Sequence, residues 1–344
     1  KFENKKNSDL TILDKNGQKT SQINESFKER YQEAYSKELE YFYKLITDKE
    51  MELEVKEYDL LLLKKITKAI NLSIEKNRIV YLDSFDNGLR KYIKGSPQYE
   101  FYVEQHKNQT YETVCKSIKK YSMLGRKKMK MKEALLLMDN FVDPSDPDVD
   151  LPNSVHAYQT AERIRKKHPL DYELQITGLI HDLGKILFEF GEPNWNVVGD
   201  TFALGCKFPE TIILYDTLKE NPDYNNLIYS SENGIYELKC GIKNLKLAFG
   251  HDEYLYIVLK NNYNHFLSDK YLNIIRFHSF YPWHTGNSYQ HLEDETDLAM
   301  KNDIIDFNQY DLYSKEDTDF VLTDEIKKYY DNLLDKYFPD DLLW

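Results

Sequence analysis

The sequence predicts a mainly α-helical chain, and three observations carry that expectation. Apolar residues recur at steps of three and four over several long stretches, alternating segments are few, and Gly (13) and Pro (10) are sparse among 344 residues. Tyr (28) and Phe (17) are plentiful and supply aromatic packing, as expected of a folded rather than a disordered chain. The length is enough for a substantial core in one large or two smaller domains.

Residues 1 to about 22 are polar and lysine-rich without periodicity and read as loose. Phe27, Tyr31, Tyr35, Leu39 and Phe42 then mark one face of an amphipathic helix, and Val55 to Ile74 reads as a second, completing a hairpin. Asp86, Asn87 and Gly88 signal a turn, and the stretch on to Met123 reads as helical. KEALLLMDNFV (132–142) is a helix that must stop at DPSDPDVDLP, whose three prolines and four aspartates make a loop. Asn153 or Ser154 is suited to cap the next helix, which carries His156 and has Ala157, Ala161 and Ile164 on its apolar face. Further helices are expected over about 171–188, 243–260, 269–279 and 324–336, with loops at FGEPNWNVVGDTFALGC and SFYPWHTGNSYQHL and a short hairpin near 228–240.

The totals exclude several classes of function. A formal net charge of -12 argues against a nucleic-acid binder, because phosphates are repelled unless a basic patch intervenes, and GRKKMKMK (125–132) is short enough to be a solvated lead into a helix. Cys115, Cys206 and Cys240 are widely spaced and odd in number, so neither a disulfide framework nor a thiolate zinc site is expected. No apolar run is long enough to span a bilayer, and the opening stretch lacks the apolar core of a signal peptide, so a cytoplasmic protein is expected.

Chemistry concentrates in a set of buried-looking polar residues. IHDLGK (180–185) sets His181 and Asp182 side by side with Lys185 one turn on; His156, His251 and His278 lie in equally apolar contexts, SVHAY, AFGHDEY and RFHSFY. A lone histidine of this kind more often bonds a carbonyl in the core than binds a ligand. Adjacent positions on a helix diverge by about 100°, however, so two polar neighbours in an apolar helix make sense when they grip a common centre. Imidazoles and carboxylates arriving from several helices, with Asp311 added, are the donors that iron, manganese or zinc take.

His156, the His181–Asp182 pair and the distant Asp311 resemble the HD-domain superfamily, whose helical bundle binds metal through such residues. DNFVDPSDPDVDLPNSVHAYQTAERIRKKHP, GLIHDLGK, FGEPNWNVVGDTFALGC, GHDEY, IRFHSFYPWHTG and FNQYDLYSK resemble the myo-inositol oxygenase family in order and spacing, from about residue 85 to Trp344. The resemblance implies an HD-domain-like helical bundle over 86–344 enclosing a dinuclear metal site. Residues 1–85 have no recognised counterpart and are expected to be an N-terminal helical extension, suited to contacting another protein.

In that family six side chains hold two non-heme irons, mixed-valence Fe(II)/Fe(III) in the active form. The resemblance implies that His156 and His181 with Asp182 and Asp311 hold one iron, and His251 and His278, again with Asp182 and Asp311, the other, one or both carboxylates bridging. Lys185 and Asp182 are the implied catalytic residues. Arg90, Asp143, Ser145, Gly199, Asp200, Ser279 and Lys315, together with Lys185, are the implied substrate contacts. Asp148 and Asp150 read as loop-capping or solvated charges, His284 as structural, and His106, His168, His265 and His291 as surface or packing residues. The implied reaction is cleavage of the myo-inositol ring by O2 to give D-glucuronate, in a monomer without nucleic-acid or membrane partners. The competing expectations are an HD-type metal-dependent phosphohydrolase, which would activate water instead, and a non-catalytic scaffold on the same fold.

Overall fold

The structure, a computed structural model, describes residues 11–14, 17–20, 27–47, 94–145, 152–314 and 320–344, with a few single positions between 63 and 70. The chain is mainly helical and divides into two compact units, Lys1–Lys91 and Tyr92–Trp344.

In the first unit, β1 (Thr11–Asp14) pairs antiparallel with β2 (Gly17–Thr20), Thr11 opposite Thr20 and Asp14 opposite Gly17. Within the stretch expected to be loose, residues 11–14 and 17–20 thus pair as a hairpin, while residues 1–10 lie outside the described residues. Helix α1 (Phe27–Thr47) forms where the periodicity indicated and leaves Tyr35, Leu39, Phe42 and Tyr43 exposed. The helix expected over Val55–Ile74 falls outside the described residues apart from isolated helical positions.

The second unit opens with α2 (Pro97–Asn108), where Ser96 accepts from Tyr99 N and proline occupies the first turn, and α3 (Tyr111–Tyr121), capped by Thr110. The basic run follows: Lys128–Met129 is β3, paired antiparallel with β6 (Leu342–Leu343), and leads into α4 (Met131–Leu137). Trp344, fully buried, closes this corner: its carbonyl accepts from Gly125 and Arg126 N–H at 2.9 and 2.8 Å and its indole Nε1 donates to Met129 O at 3.2 Å.

Helices α5 (Asn153–Lys167) and α6 (Tyr172–Ile180) pack face to face at the centre. Asn153 and Ser154 do not cap α5 as expected. Asp139 instead reaches across to accept from Ser154 N and Oγ, both at 2.9 Å, while Asn153 Nδ2 donates to Met138 O and Phe141 O. Helix α6 is buried on every side from Leu174 to Ile180, Gln175 and Thr177 included, as befits a central helix. It ends earlier than expected: Asp182 adopts φ -89°, ψ -4°, and Leu183–Phe190 continues as a tighter 3₁₀ helix closed by Gly191 in the left-handed region, φ 76°.

A two-residue pairing of β4 (Ala203–Leu204) with β5 (Lys246–Leu247) replaces the first part of the helix expected over 243–260, so α7 (His251–Asn261) starts only after Gly250. Residues 228–240 form turns rather than the expected hairpin. Helices α8 (Asp269–Phe277), α9 (Tyr281–His284), α10 (Asp297–Ser314) and α11 (Asp324–Tyr337) complete the unit. Helix α10 packs on α5 and α8 although no helix was expected there.

Candidate metal centre

The six residues singled out as donors come from five helices and sit at or near helix ends, where one residue's side chain can point inward without interrupting a helical face. His156 lies in the first turn of α5, His181 caps the C-terminus of α6 with Asp182 next to it, His251 begins α7, His278 caps α8 and Asp311 is in the last turn of α10. All but the half-buried His156 are buried.

They divide into two pairs of imidazoles joined by one carboxylate. Asp182 Oδ2 is 3.7 Å from His181 Nε2 and 4.0 Å from His156 Nε2, while Asp182 Oδ1 is 3.3 Å from His251 Nε2 and 3.8 Å from His278 Nε2. Asp311 Oδ1 faces the first pair, 2.9 Å from His156 Nε2 and 3.3 Å from His181 Nε2.

Main-chain carbonyls orient three of the rings. His181 Nδ1 lies 2.9 Å from Gly178 O, His251 Nδ1 3.1 Å from Val197 O and His278 Nδ1 2.8 Å from Ile275 O. A carbonyl only accepts, so each Nδ1 carries the hydrogen, and in the neutral ring each Nε2 presents a bare lone pair to the centre. His251 Nε2 and His278 Nε2 face one another at 3.3 Å. Two lone pairs at that distance beside a carboxylate repel unless a cation or a proton lies between them.

The electrostatics without an ion agree. Burial works against a charged His251, yet Asp252 and Asp182 outweigh it and raise the imidazole to about 10. Burial likewise opposes the charge on His181, and Asp182 and Asp311 again raise it. Burial would raise the two carboxylates, but Lys185 and His181 hold Asp182 well below the usual range, and His181 and His156 hold Asp311 there. The pocket of donors is thus built to sit against positive charge.

Of the other expected residues, Lys185, Asp143 and Ser145 come together beside the donors. Lys185 Nζ lies 3.0 Å from Asp182 Oδ2 and 2.9 Å from Asp143 Oδ2; Asp143 Oδ1 in turn accepts from Ser145 N at 2.9 Å and Oγ at 2.6 Å. Lys185 is buried, which opposes its charge, but the two carboxylates outweigh this and raise it above the ordinary lysine value. Asp200 Oδ1 accepts from Tyr102 OH at 3.1 Å, and Gly199, at φ 98°, brings its backbone so close to α2 that a Cβ would lie 2.5 Å from Gln105 Nε2. That loop meets the donors through Thr201 N–H donating to Ser279 O and His251 N–H donating to Val197 O. Ser279 Oγ donates to Asp252. Arg90, Lys315, Asp148 and Asp150 lie outside the described residues.

His284 and His106 are fully buried and structural: His284 Nε2 is 3.0 Å from His278 O, beside Asn308 Nδ2 at 3.2 Å from the same oxygen, and His106 Nδ1 is 2.6 Å from Thr217 Oγ1. The residue that the sequence reading passed over is Asp252, whose oxygen lies 2.8 Å from His251 Nε2. Its signal was present in GHDEY, a second HisAsp step in an apolar setting.

A helical bundle that gathers four imidazoles and two carboxylates in its interior defines a metal-binding protein of the HD type. The family described as Myo-inositol oxygenase matches residues 97–344. The chain belongs to that family and is an enzyme. It is similar to "Inositol oxygenase" of Sus scrofa, 46% identical over 245 residues, covering 71% of this chain and 86% of the relative. It is likewise 47% identical over 251 residues to "Inositol oxygenase" of Dictyostelium discoideum, covering 71% and 85%. "Inositol oxygenase 1" of Arabidopsis thaliana is 46% identical over 248 residues, covering 71% and 79%. Among the described residues no helix is long and apolar enough to cross a membrane.

Proposed function

We propose that the chain is a di-iron oxygenase that cleaves the ring of myo-inositol with O2, yielding D-glucuronate. The observation that carries this is the split of Asp182, one oxygen toward each imidazole pair, with bare Nε2 atoms on both sides. That donor set fits two adjacent ions taking nitrogen and oxygen ligands, iron among them. His156, His181, Asp311 and one oxygen of Asp182 would hold the first ion, and His251, His278 and the other oxygen the second. When bound, the pair supplies Lewis acidity toward vicinal hydroxyls and one-electron chemistry toward O2.

The chain's own groups then have defined tasks. Lys185, charged and aimed by Asp143, stands next to the bridging carboxylate, where an ammonium stabilises a deprotonated hydroxyl. Asp143 and Ser145, already locked to each other, offer acceptor and donor groups to a polyol ring, which has only hydroxyls to recognise. Gly199, Asp200 and Ser279 are proposed as further substrate contacts, as are Arg90 and Lys315 from the resemblance alone, the last two also helping to exclude water. The three free thiols support a reducing setting such as the cytoplasm.

The test is anaerobic loading with iron, followed by oxygen uptake and glucuronate detection on adding myo-inositol. Lys185→Ser is expected to keep both metals and lose at least about 100-fold in turnover, as removal of a charge-stabilising group does. Release of phosphate from nucleotides without oxygen uptake would replace this reading with that of a phosphohydrolase.

A further inference from the structure

Asp252 is the second residue of α7 and 1% exposed. Its Oδ1 lies 2.8 Å from His251 Nε2 and 3.3 Å from His278 Nδ1, and accepts from Ser279 Oγ at 3.3 Å. Its Oδ2 has no hydrogen-bond partner among the described residues. An acidic residue in the first turn of a helix is ordinary because it faces the positive end of the helix dipole. A fully buried one with an unsatisfied oxygen is not, since a carboxylate removed from water is costly unless positive charge lies near. The groups that surround it are the two imidazoles of one pair and the residue after the second of them.

We propose that Asp252 is a positioning residue that sets the affinity of the His251–His278 metal position. It stands on the Nδ1 side of His278, where the ring N–H already meets Ile275 O at 2.8 Å, so it fixes the ring plane and strengthens Nε2 as a donor. It also places a negative charge beside the position on the His251 side. The first pair has Asp311 as its own carboxylate; Asp252 gives the second pair a carboxylate that Asp182 does not have to provide. The inference rests on the two-metal reading above.

The test titrates the metal-free, full-length protein with Fe(II) under anaerobic conditions, measuring the binding isotherm and the metal content after dialysis. The wild-type chain binds two ions. Asp252→Asn, which keeps the shape and removes the charge, is expected to bind the first ion as the wild type does and the second about 10- to 100-fold more weakly, with melting of the metal-free protein unchanged or raised. Asp252→Ser, smaller and neutral, reads the same quantity should the asparagine variant fail to fold. Wild-type affinity at both positions overturns the proposal, and so does equal weakening at both, which marks a merely structural residue. A wild-type chain that binds fewer than two ions instead removes the two-metal reading, whatever Asp252 does.

Discussion

His106 shows how a histidine outside the centre differs from one inside it. It is fully buried against the rings of Phe202 and Tyr102, and its Nε2 has no partner among the described residues, so burial pushes the imidazole down to about 3. In the unfolded chain the same group titrates near 6.5. Its contribution is therefore fully present above pH 6.5 and is lost as the pH falls below it, at about 1.4 kcal/mol per unit. Between pH 7 and 5 the wild type is expected to lose about 2 kcal/mol more stability than His106→Gln in paired urea titrations with metal removed; parallel curves for the two would sink the assignment. Residue types and their apolar contexts made five of the candidate donors legible in the sequence, and Asp311, which has no such context, rested on the family resemblance. Asp252 was not, because a HisAsp step at the start of a helix looks like an ordinary acidic first turn until the fold brings His278 against it.

The donor geometry depends on where helices stop, and at this scale the glycines matter. A Cβ on Gly184 would lie 1.9 Å from His251 O, so the 3₁₀ segment holding Lys185 lies directly on the first residue of α7. Gly184→Ala is expected to cost about 3 kcal/mol or more and to weaken metal binding, because backbone must move. Gly178→Ala meets the flexible end of Ile164 first, at 2.6 Å, and is expected to cost nearer 1 kcal/mol with metals retained. Thermal melts with metal analysis separate the two; equal losses would show that the close approach at Gly184 does not govern the centre. Element boundaries were the least legible part of the chain. The helix expected over 243–260 yields its first half to β5 because Lys246 and Leu247 find partners 42 and 44 residues earlier, at Leu204 and Ala203, which local periodicity cannot reveal. Helix α10 escaped notice because its buried stripe is half polar, with Asp297, Lys301, Asn308 and Asp311 on it, while Leu298 and Ile305 are exposed, so no apolar periodicity marks the helix.

All six donors lie within Tyr92–Trp344, and the family match begins at residue 97. Removal of residues 1–80 is therefore expected to leave metal content and inositol-dependent oxygen uptake within about twofold of the full chain; a larger loss would assign the extension to the chemistry. At the other end, Trp344, which follows β6, is fully buried and is tied to 125–127 through four main-chain hydrogen bonds. Trp344→Ala is expected to cost about 3 to 5 kcal/mol in denaturant unfolding, which a change under 1 kcal/mol would contradict.

The carbonyls of Gly178, Val197 and Ile275 have one more implication. Each belongs to the peptide backbone, so no single codon change deletes the acceptor that sets the tautomer of His181, His251 or His278. Neighbouring side chains are free to drift over evolutionary time while the three imidazoles keep their aim, provided that the helix ends bearing those oxygens stay where they are.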